Sequence, residues 1–472
     1  MNTRKTNRIL AALLPLLLPV ATLKAQQAPQ VQQVTAKQAV DIAFKNAIEL
    51  KNVHLDYDFQ KAKNKEYTSM ALPQINANMG MNHYFSQPTI DFANANYYLY
   101  NDLIKQGVRD GNGNTIARPM SATEPNLAFS FVYPWNMNYG VQLNQLLFQP
   151  DVFIALKARK GTLKLANALI QVKEEEVKLG VYKTYYAVLI AEKQLVYLNE
   201  SIARLEKLLH DQTEIFKNGF AERLDLDKTT VALNNLKATS YQLQNGVSIN
   251  YMVLKNAMGM NQIDSLSLKD TLSNDLVKSE LLNSGSFNYD DRSEIRLLKT
   301  TSDLMKLDVR RHRLSKYPTL ALFGQFNSQA QRNTFDFYKD KRWINTTLLG
   351  ISITLPVYNG GVRLHKLQQT KITLQKNNNT IEQVKQLIDL EQGIAQKTYS
   401  NAVLALDVQD RNRVLAKKVF ETTKKKYEQG LGSSFEILNA DTELQQTTGN
   451  YFKALYDAVI SKVSYLKSTG KL

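Results

Sequence analysis

The sequence predicts a mainly α-helical protein built from two copies of a helix–strand–strand–helix unit. All eleven prolines lie outside residues 151–317 and 357–472. Long uninterrupted helices require such proline-free runs, because one proline inside a helix costs about 3 kcal/mol. Short segments that alternate apolar and polar residues lie just before both runs, and several segments of the first half recur in the second half at nearly constant spacing. These three observations predict the fold class.

The composition excludes several functional classes. The chain has 472 residues, of which 43% are hydrophobic and 22% are charged, as is typical of a folded protein. The absence of cysteine excludes disulfides, thiolate metal sites and cysteine nucleophiles. The five histidines have no HExxH-type spacing, and we find no constellation that predicts a catalytic site, a metal or a cofactor. The net charge of +16 is not accompanied by a nucleic-acid-binding motif.

The N-terminus predicts export. Arg4, Lys5 and Arg8 precede an apolar stretch at residues 9–23, and Ala25 offers a small residue at a cleavage point. This pattern is typical of a secretory signal peptide, here residues 1–25. An uncleaved membrane anchor is the alternative, although the apolar run is short for a membrane span. Cleavage would leave a mature net charge of +12.

An internal repeat organises the rest of the chain. Three segments of the first half correspond to segments of the second half: residues 72–75 to 317–320 (offset 245), 140–144 to 350–354 (offset 210), and 217–220 to 428–431 (offset 211). The fall in offset places a 35-residue insertion in the first copy, between positions 84 and 126. That insertion contains three prolines and the segment Asp110-Gly111-Asn112-Gly113-Asn114, which predict a long loop.

The repeat predicts the following organisation. The first copy is expected at residues 26–260, with strands at about 73–84 and 126–147, an external loop at about 85–125, and long helices at about 151–218 and 222–260. A polar segment at 261–290 joins the copies. The second copy is expected at 291–472, with strands at about 318–328 and 343–357 and long helices at about 361–429 and 433–468.

The strand segments have a period of two residues. Large apolar or aromatic residues at the odd positions 127–143 alternate with Ser, Asn, Gln and Gly. A soluble sheet that packs on one face would show this pattern, and so would a transmembrane barrel that is apolar towards lipid and polar towards its lumen. One chain supplies only four such strands. A barrel would therefore require several chains, because open sheet edges are not tolerated in lipid.

The helices are too long for a bilayer. About 68 residues at 1.5 Å each extend about 100 Å, whereas a bilayer measures about 40–45 Å. Ile381, Val384, Ile388 and Ala395 follow the spacing of a helix-packing seam, and polar residues lie between them. A soluble coiled coil would share this pattern, but it would not explain the strand pair that precedes each long helix.

These features together resemble the TolC-like outer-membrane efflux proteins over essentially the whole mature chain. Four elements occur in the family's order: an opening helix at residues 34–43, Leu-Pro or Tyr-Pro junctions at 71–75 and 316–320, the strand-to-helix segment Leu355-Pro356-Val357-Tyr358-Asn359-Gly360-Gly361, and the helical-hairpin tip at 427–430 with 436–440. Single elements are weak signals, whereas four in order are specific.

The resemblance implies a homotrimer in the outer membrane. Three chains would form one 12-stranded β-barrel that continues into a long α-helical periplasmic tunnel, and the segment between the copies would form an equatorial belt. Members of the family are passive ducts without catalysis or cofactors. They serve multidrug efflux or type I secretion by docking on a periplasmic adaptor (a membrane fusion protein) and an inner-membrane pump.

The resemblance also implies functional residues at the periplasmic end. Gly219, Gly430 and Gly432 would form the tips to which the adaptor docks. Glu436 and Asn439 match the positions at which rings of charged or polar residues narrow the tunnel aperture, and Asn439 departs from the family's usual second acid. Helix capping explains an acid in the first helical turn equally well. A non-channel periplasmic coiled-coil protein, with a structural or interaction role, remains the alternative function.

Overall fold

The structure is a computed structural model that describes residues 32–271, 277, 287–339 and 342–472. The expected signal peptide at 1–25 lies outside the described residues, as does much of the segment that joins the copies.

The first copy contains five strands and five helices among the described residues. In chain order these are β1 (Gln32–Val34), α1 (Ala36–Asn46), α2 (Ile48–Ser69), β2 (Gln74–His83), β3 (Ile90–Ala93), α3 (Ala95–Lys105), β4 (Asn126–Phe129), β5 (Trp135–Phe148), α4 (Pro150–Lys217) and α5 (Arg223–Ala257).

A short strand and the second copy follow. The elements are β6 (Leu266–Leu268), α6 (Ser293–Leu314), β7 (Thr319–Arg332), β8 (Ile344–Thr354), α7 (Val362–Glu428) and α8 (Ser434–Ser468). The duplication is visible in the helix lengths: α4 and α7 have 68 and 67 residues, and α5 and α8 have 35 residues each.

The insertion in the first copy differs from the expected loop. Residues 85–125 contain β3 and α3, and the single strand expected at 126–147 is divided into β4 and β5. Asn94 is the N-cap of α3, because its side-chain oxygen accepts hydrogen bonds from the amides of Asn96 and Tyr97. Pro134 has no amide hydrogen to extend the ladder, and its carbonyl accepts a hydrogen bond from the Tyr84 amide at 2.8 Å.

The described residues form two compact units. We call residues 32–51, 174–271, 277 and 391–472 the helical unit, and residues 52–173, 287–339 and 342–390 the sheet unit. Among the described residues, no helix combines the length and the apolar character that a membrane span requires.

The sheet unit contains a four-stranded antiparallel sheet in the order β2-β5-β7-β8. The helices α2 and α6 lead into β2 and β7, and α4 and α7 follow β5 and β8. The separate ribbon β3–β4 pairs a strand of the insertion with the residues that directly follow it.

The helical unit has a core of buried apolar side chains that the long helices share. Ala395 of the predicted seam of α7 is buried there, and so is Tyr399 of the same helix. At another level, β1 and α1 pack on α4 and α5 through Val34, Val40 and Tyr185. The short strands β1 and β6 pair in parallel next to this cluster.

Tyr185 links three segments of the helical unit. Its hydroxyl lies 3.0 Å from both the Val34 carbonyl and Asp270 Oδ2, and it donates its hydrogen to this pair of acceptors. Asp270 Oδ2 also accepts a hydrogen bond from the Ala36 amide, at the start of α1. Burial, followed by the hydrogen bond with Asp270, raises the pKa of Tyr185 well above its ordinary value of 10.0.

We expect Tyr185→Phe to destabilise the protein by about 1–2 kcal/mol, because it removes the donor that the buried Val34 carbonyl and the half-buried Asp270 carboxylate share. The raised pKa means that this contribution is fully present below pH 10 and is lost as the pH rises further. Denaturant titration of the two proteins at pH 8 measures the difference. Tyr241→Phe is the control, since Tyr241 is exposed; equal midpoints for the two variants would contradict the role of Tyr185.

Candidate functional site

The register of the sheet separates two chemically different faces. Asn78 pairs with Gly140 and Met79 pairs with Tyr139, so amide-bearing residues align with one another across the strands, as do apolar residues. One face carries Gln74, Asn76, Asn78, Asn82, Asn136, Asn138, Gln142, Asn144, Gln325, Asn327 and Gln329. The opposite face carries Ile75, Met79, Met81, Tyr139, Val141, Leu143, Leu320, Leu322, Phe326, Leu349, Ile351 and Ile353.

The apolar face is uncovered within one chain. Met79 is 70% exposed and Leu349 is 71% exposed. The strands that carry these apolar side chains contain few charged residues. Apolar surface of this kind costs about 25 cal/mol per Å² in water. Contiguous exposed apolar patches on this scale mark membrane or protein contacts.

The sheet also has two open edges. Within the described part of the chain, β2 pairs only with β5, and β8 pairs only with β7. Close strand approach in the interior depends on Gly140, since a Cβ there would lie 2.5 Å from the Phe326 carbonyl oxygen. The interior of the sheet is therefore tightly paired, whereas its edges have unused backbone donors and acceptors.

Aromatic residues cluster at the end of the sheet that is remote from the long helices. The rings of His83 and Trp135 stack at 4.1 Å, and Phe335 lies 5.2 Å from Trp135. Trp343 lies 5.1 Å from Tyr139. The structure therefore brings these rings together at one level of the sheet.

The expected tips end α4 and α7 with the same cap. Gly219 and Gly430 both have positive φ, 81° and 73°. In each turn the glycine amide donates to a carbonyl three residues earlier, and the next amide donates to a carbonyl five residues earlier. These two bonds define the Schellman motif, in which glycine avoids the cost of a Cβ in the left-handed region.

Gly432 does not share this conformation, since its φ is not positive. Small size is the property that matters at this position. A Cβ on Gly432 would lie 3.2 Å from the Tyr427 amide nitrogen and 3.4 Å from Glu436 Oε2. Gly432 therefore contributes to this turn through its small size and not through a left-handed backbone.

Glu436 and Asn439 lie in the first two turns of α8. Ser433 is the N-cap, and its side-chain oxygen accepts a hydrogen bond of 3.2 Å from the Glu436 amide. Both candidate aperture side chains are exposed. Because they are three residues apart, they share one face of the helix. The corresponding acid of the first copy, Asp225, lies in the first turn of α5.

The two turns lie close to each other in the helical unit. The Gln212 side-chain amide on α4 donates a hydrogen bond of 2.5 Å to Ser434 Oγ on α8. Burial raises the pKa of Tyr427, and the negative charges of Asp225 and Asp211 raise it further. The Gln212–Ser434 hydrogen bond therefore places the last turns of α4 beside the start of α8.

The sequence analysis missed a buried polar cluster next to these turns. Asp441 on α8 is 1% exposed, and Arg204 on α4 contacts its carboxylate with Nε at 3.3 Å. Ser201 and Gln445 also donate hydrogen bonds to Asp441. The Arg204 guanidinium packs on the rings of two aromatic residues, Tyr197 and Phe420.

A signal for this cluster was present in the sequence. Asp441 occurs among Ile437, Ala440 and Leu444, all of which are buried apolar residues of the α8 seam. A carboxylate on such a seam requires a partner, because an unpaired buried charge is costly. The identity of the partner, 237 positions away, was not readable from spacing. The described residues contain no group of three or more acids or histidines that could hold a metal.

We expect Arg204→Ala to destabilise the protein by about 3 kcal/mol, since it leaves the buried Asp441 carboxylate without its cation. The double variant Arg204→Met/Asp441→Leu should recover most of this loss, because it removes both charges. Denaturant midpoints measure both effects. Arg223→Ala is the control: its pair with Asp227 is 77% and 60% exposed, and exposed pairs contribute at most about 1 kcal/mol. A loss for Arg204→Ala no larger than that control would refute the argument.

Comparisons with known proteins agree with this geometry. Residues 302–471 match the family described as Outer membrane efflux protein. The chain is 19% identical over 345 residues to Outer membrane protein TolC of Vibrio cholerae, a match that covers 71% of this chain and 77% of that protein.

Solved structures show the same fold over nearly the whole chain. CusC matches with a TM-score of 0.69 and 14% identity, covering 95% of both chains. The outer membrane channel CmeC of Campylobacter jejuni matches with a TM-score of 0.68 and 14% identity, covering 100% of this chain and 94% of that chain. VceC of Vibrio cholerae matches with a TM-score of 0.66 and 12% identity, covering 92% and 96%. These matches confirm the predicted fold class, and the chain is similar to TolC-like outer membrane efflux proteins.

Proposed function

We propose that three copies of this chain assemble into one outer-membrane duct that passively conducts substrates out of the cell. The observation that carries the proposal is the four-stranded sheet with an uncovered apolar face and two unpaired edges. In lipid, unpaired backbone groups cost several kcal/mol each. Pairing β2 of one copy with β8 of the next would satisfy both edges, and three copies would supply the twelve strands of a closed wall.

The two faces of the sheet then have separate tasks. The apolar face contacts acyl chains, and the aromatic cluster around Trp135 lies at the membrane interface. The amide-bearing face lines a wet lumen. Asn and Gln side chains offer donors and acceptors without fixed charge, so this part of the duct would impose little charge selection.

The periplasmic partners follow from the TolC-like family. A periplasmic adaptor docks at the tips around Gly219, Gly430 and Gly432, and an inner-membrane pump supplies the energy. The duct itself performs no catalysis. The matching Schellman turns at Gly219 and Gly430 support this assignment, because each protomer would offer two similar tips and a trimer would offer six.

The aperture is assigned to α8. In a trimer, three Glu436 side chains would form an acidic ring, and three Asn439 side chains would form a polar ring one turn further along the helix. An acidic ring attracts cations and repels anions. The exposure of both side chains within one chain supports this role, because each is available to face a lumen.

Single-channel recording in a planar bilayer tests the function. The detergent-extracted mature protein is expected to be a heat-sensitive trimer that gives discrete conductance steps with a preference for cations. A protein that stays soluble without detergent and never inserts would instead be the coiled-coil interaction module, and the duct would be excluded.

We expect Glu436→Ala to raise the conductance and to weaken the cation preference, since it removes the acidic ring and widens the aperture. Reversal potentials under a salt gradient measure the preference. Asp225→Asn is the matched control, because it removes one acid from the corresponding turn of the first copy and lies outside the proposed ring. Unchanged conductance and selectivity in an intact Glu436→Ala trimer would count against this aperture.

The assignment of the two sheet faces predicts opposite results at neighbouring positions of β8. Ile351→Lys should impair membrane insertion, since a lysine on the lipid face costs about 2–4 kcal/mol at the midplane. Ser352→Lys lies on the amide-bearing face and should insert normally while shifting selectivity towards anions. Membrane fractionation and conductance measure these outcomes. Equal insertion of the two variants would show that the faces are misassigned.

A further inference from the structure

Positive charge is concentrated where the helices meet the sheet. Four segments of ten residues adjoin the strands: 61–70 before β2, 151–160 after β5, 307–316 before β7, and 362–371 after β8. Together they contain thirteen Lys and Arg residues and three acids, a net charge of +10. The remaining positions of the chain share only +6 of the total of +16. We call these four segments the basic collar.

All four segments lie at the same end of the sheet. Gln74, the first residue of β2, pairs with Asn144 near the end of β5. Phe148 at the end of β5 pairs with Leu320 near the start of β7, and Thr319 pairs with Thr354 at the end of β8. The aromatic cluster lies at the opposite end. The collar therefore surrounds the end from which the long helices depart.

Part of the collar forms a defined groove. The end of α2 and the start of α4 line an open groove of about 620 Å³, whose lining includes Lys61, Lys65, Lys157, Arg159 and Lys160. The other lining residues are polar or apolar, and none of them is an acid. Such a groove has a positive potential that local carboxylates do not neutralise.

The floor of the groove is rigid. Arg159 Nη1 donates a hydrogen bond of 2.6 Å to Thr68 Oγ1, and Arg159 Nε donates to the Leu156 carbonyl. The buried Asn64 side chain donates to the Arg159 carbonyl at 3.0 Å and accepts from Thr162 Oγ1. These contacts join α2 to α4, whereas the four lysine side chains around them are exposed. The groove therefore combines a hydrogen-bonded base with four exposed lysine side chains.

We propose that this groove binds the phosphate groups of anionic phospholipids in the membrane leaflet nearest the helices. The inference rests on the proposed function, because it requires the sheet to span a membrane. Lys65 and Lys157 each lie nine residues from the sheet, about 14 Å along a helix. Long lysine side chains extend their charged ends towards the interface, and basic pockets beside membrane segments bind anionic head groups.

The position of the groove favours a lipid over a soluble anion. A lipid head group is held at the membrane surface by its acyl chains, which would contact the exposed apolar face of the adjoining sheet. One lipid molecule can therefore neutralise the lysines of the groove and also cover part of the apolar face. Free phosphate can neutralise the lysines but cannot cover the apolar face.

Native mass spectrometry of the detergent-solubilised trimer tests the proposal. The wild-type trimer is titrated with phosphatidylglycerol or with phosphatidylcholine, and retained lipids are counted. The test variant is Lys61→Gln/Lys65→Gln/Lys157→Gln/Lys160→Gln, which leaves Arg159 and its structural contacts in place. We expect its affinity for phosphatidylglycerol to fall about tenfold or more, because each lysine near an anionic surface contributes about 1 kcal/mol.

Two further variants control for charge and folding. Lys417→Gln/Lys418→Gln/Lys425→Gln/Lys426→Gln removes the same charge from exposed positions of the helical unit and should retain phosphatidylglycerol as the wild type does. Substituting arginine at the four groove positions keeps the charge and should restore binding. A groove variant that binds phosphatidylglycerol as well as the wild type overturns the proposal, as does equal retention of the two lipids by the wild type.

Two added measurements distinguish a lipid phosphate from a soluble anion, and a failure of the groove proposal from a failure of the proposed duct function. Displacement of phosphatidylglycerol by inorganic phosphate at a similar concentration would make the groove a site for a soluble anion and overturn the lipid assignment. Planar-bilayer recording is performed on the same preparations. Wild-type channels combined with undiminished lipid binding by the groove variant contradict the groove alone, whereas a wild-type protein that never conducts contradicts the proposed function.

Discussion

Backbone hydrogen bonding is the constraint on which the organisation of this protein depends. The sheet β2-β5-β7-β8 pairs all its inner strands but leaves the outer edges of β2 and β8 without a partner among the described residues. One of its faces is also apolar and exposed. A single chain can neither pair the two outer edges nor cover this apolar face. In the proposed assembly, a membrane covers the apolar face and further copies of the chain complete the ladder, so the strands that define the fold would also direct the assembly.

Duplication gives the helical part its regular dimensions, and differences between the copies mark specialised positions. The glycine turns at Gly219 and Gly430 have the same hydrogen bonds, and so do those at Gly259 and Gly470. In contrast, the buried pair Arg204–Asp441 has no counterpart, because the corresponding positions 211 residues away hold Leu415 and Thr230. The two copies therefore share a scaffold but not the polar contacts that join their helices near the turns.

Much of the net positive charge lies in the segments that connect the helices to the sheet. A net charge of +16 in a protein without a nucleic-acid-binding motif is explained in large part by the basic collar. The four groove lysines are exposed around a hydrogen-bonded floor. The proposal therefore assigns the groove between α2 and α4 to an anionic membrane surface.

The sequence alone determined the features that depend on local periodicity. Alternation with a period of two specified the apolar and amide-bearing faces, proline-free runs specified the long helices, and glycines marked the turns at Gly219 and Gly430. Tertiary structure decided the features that depend on distant partners. The Arg204–Asp441 contact joins residues 237 positions apart, and the β3–β4 ribbon required pairing across a 35-residue insertion. Periodicity reports which face of an element is apolar, but it carries no information about which distant side chain will meet that face.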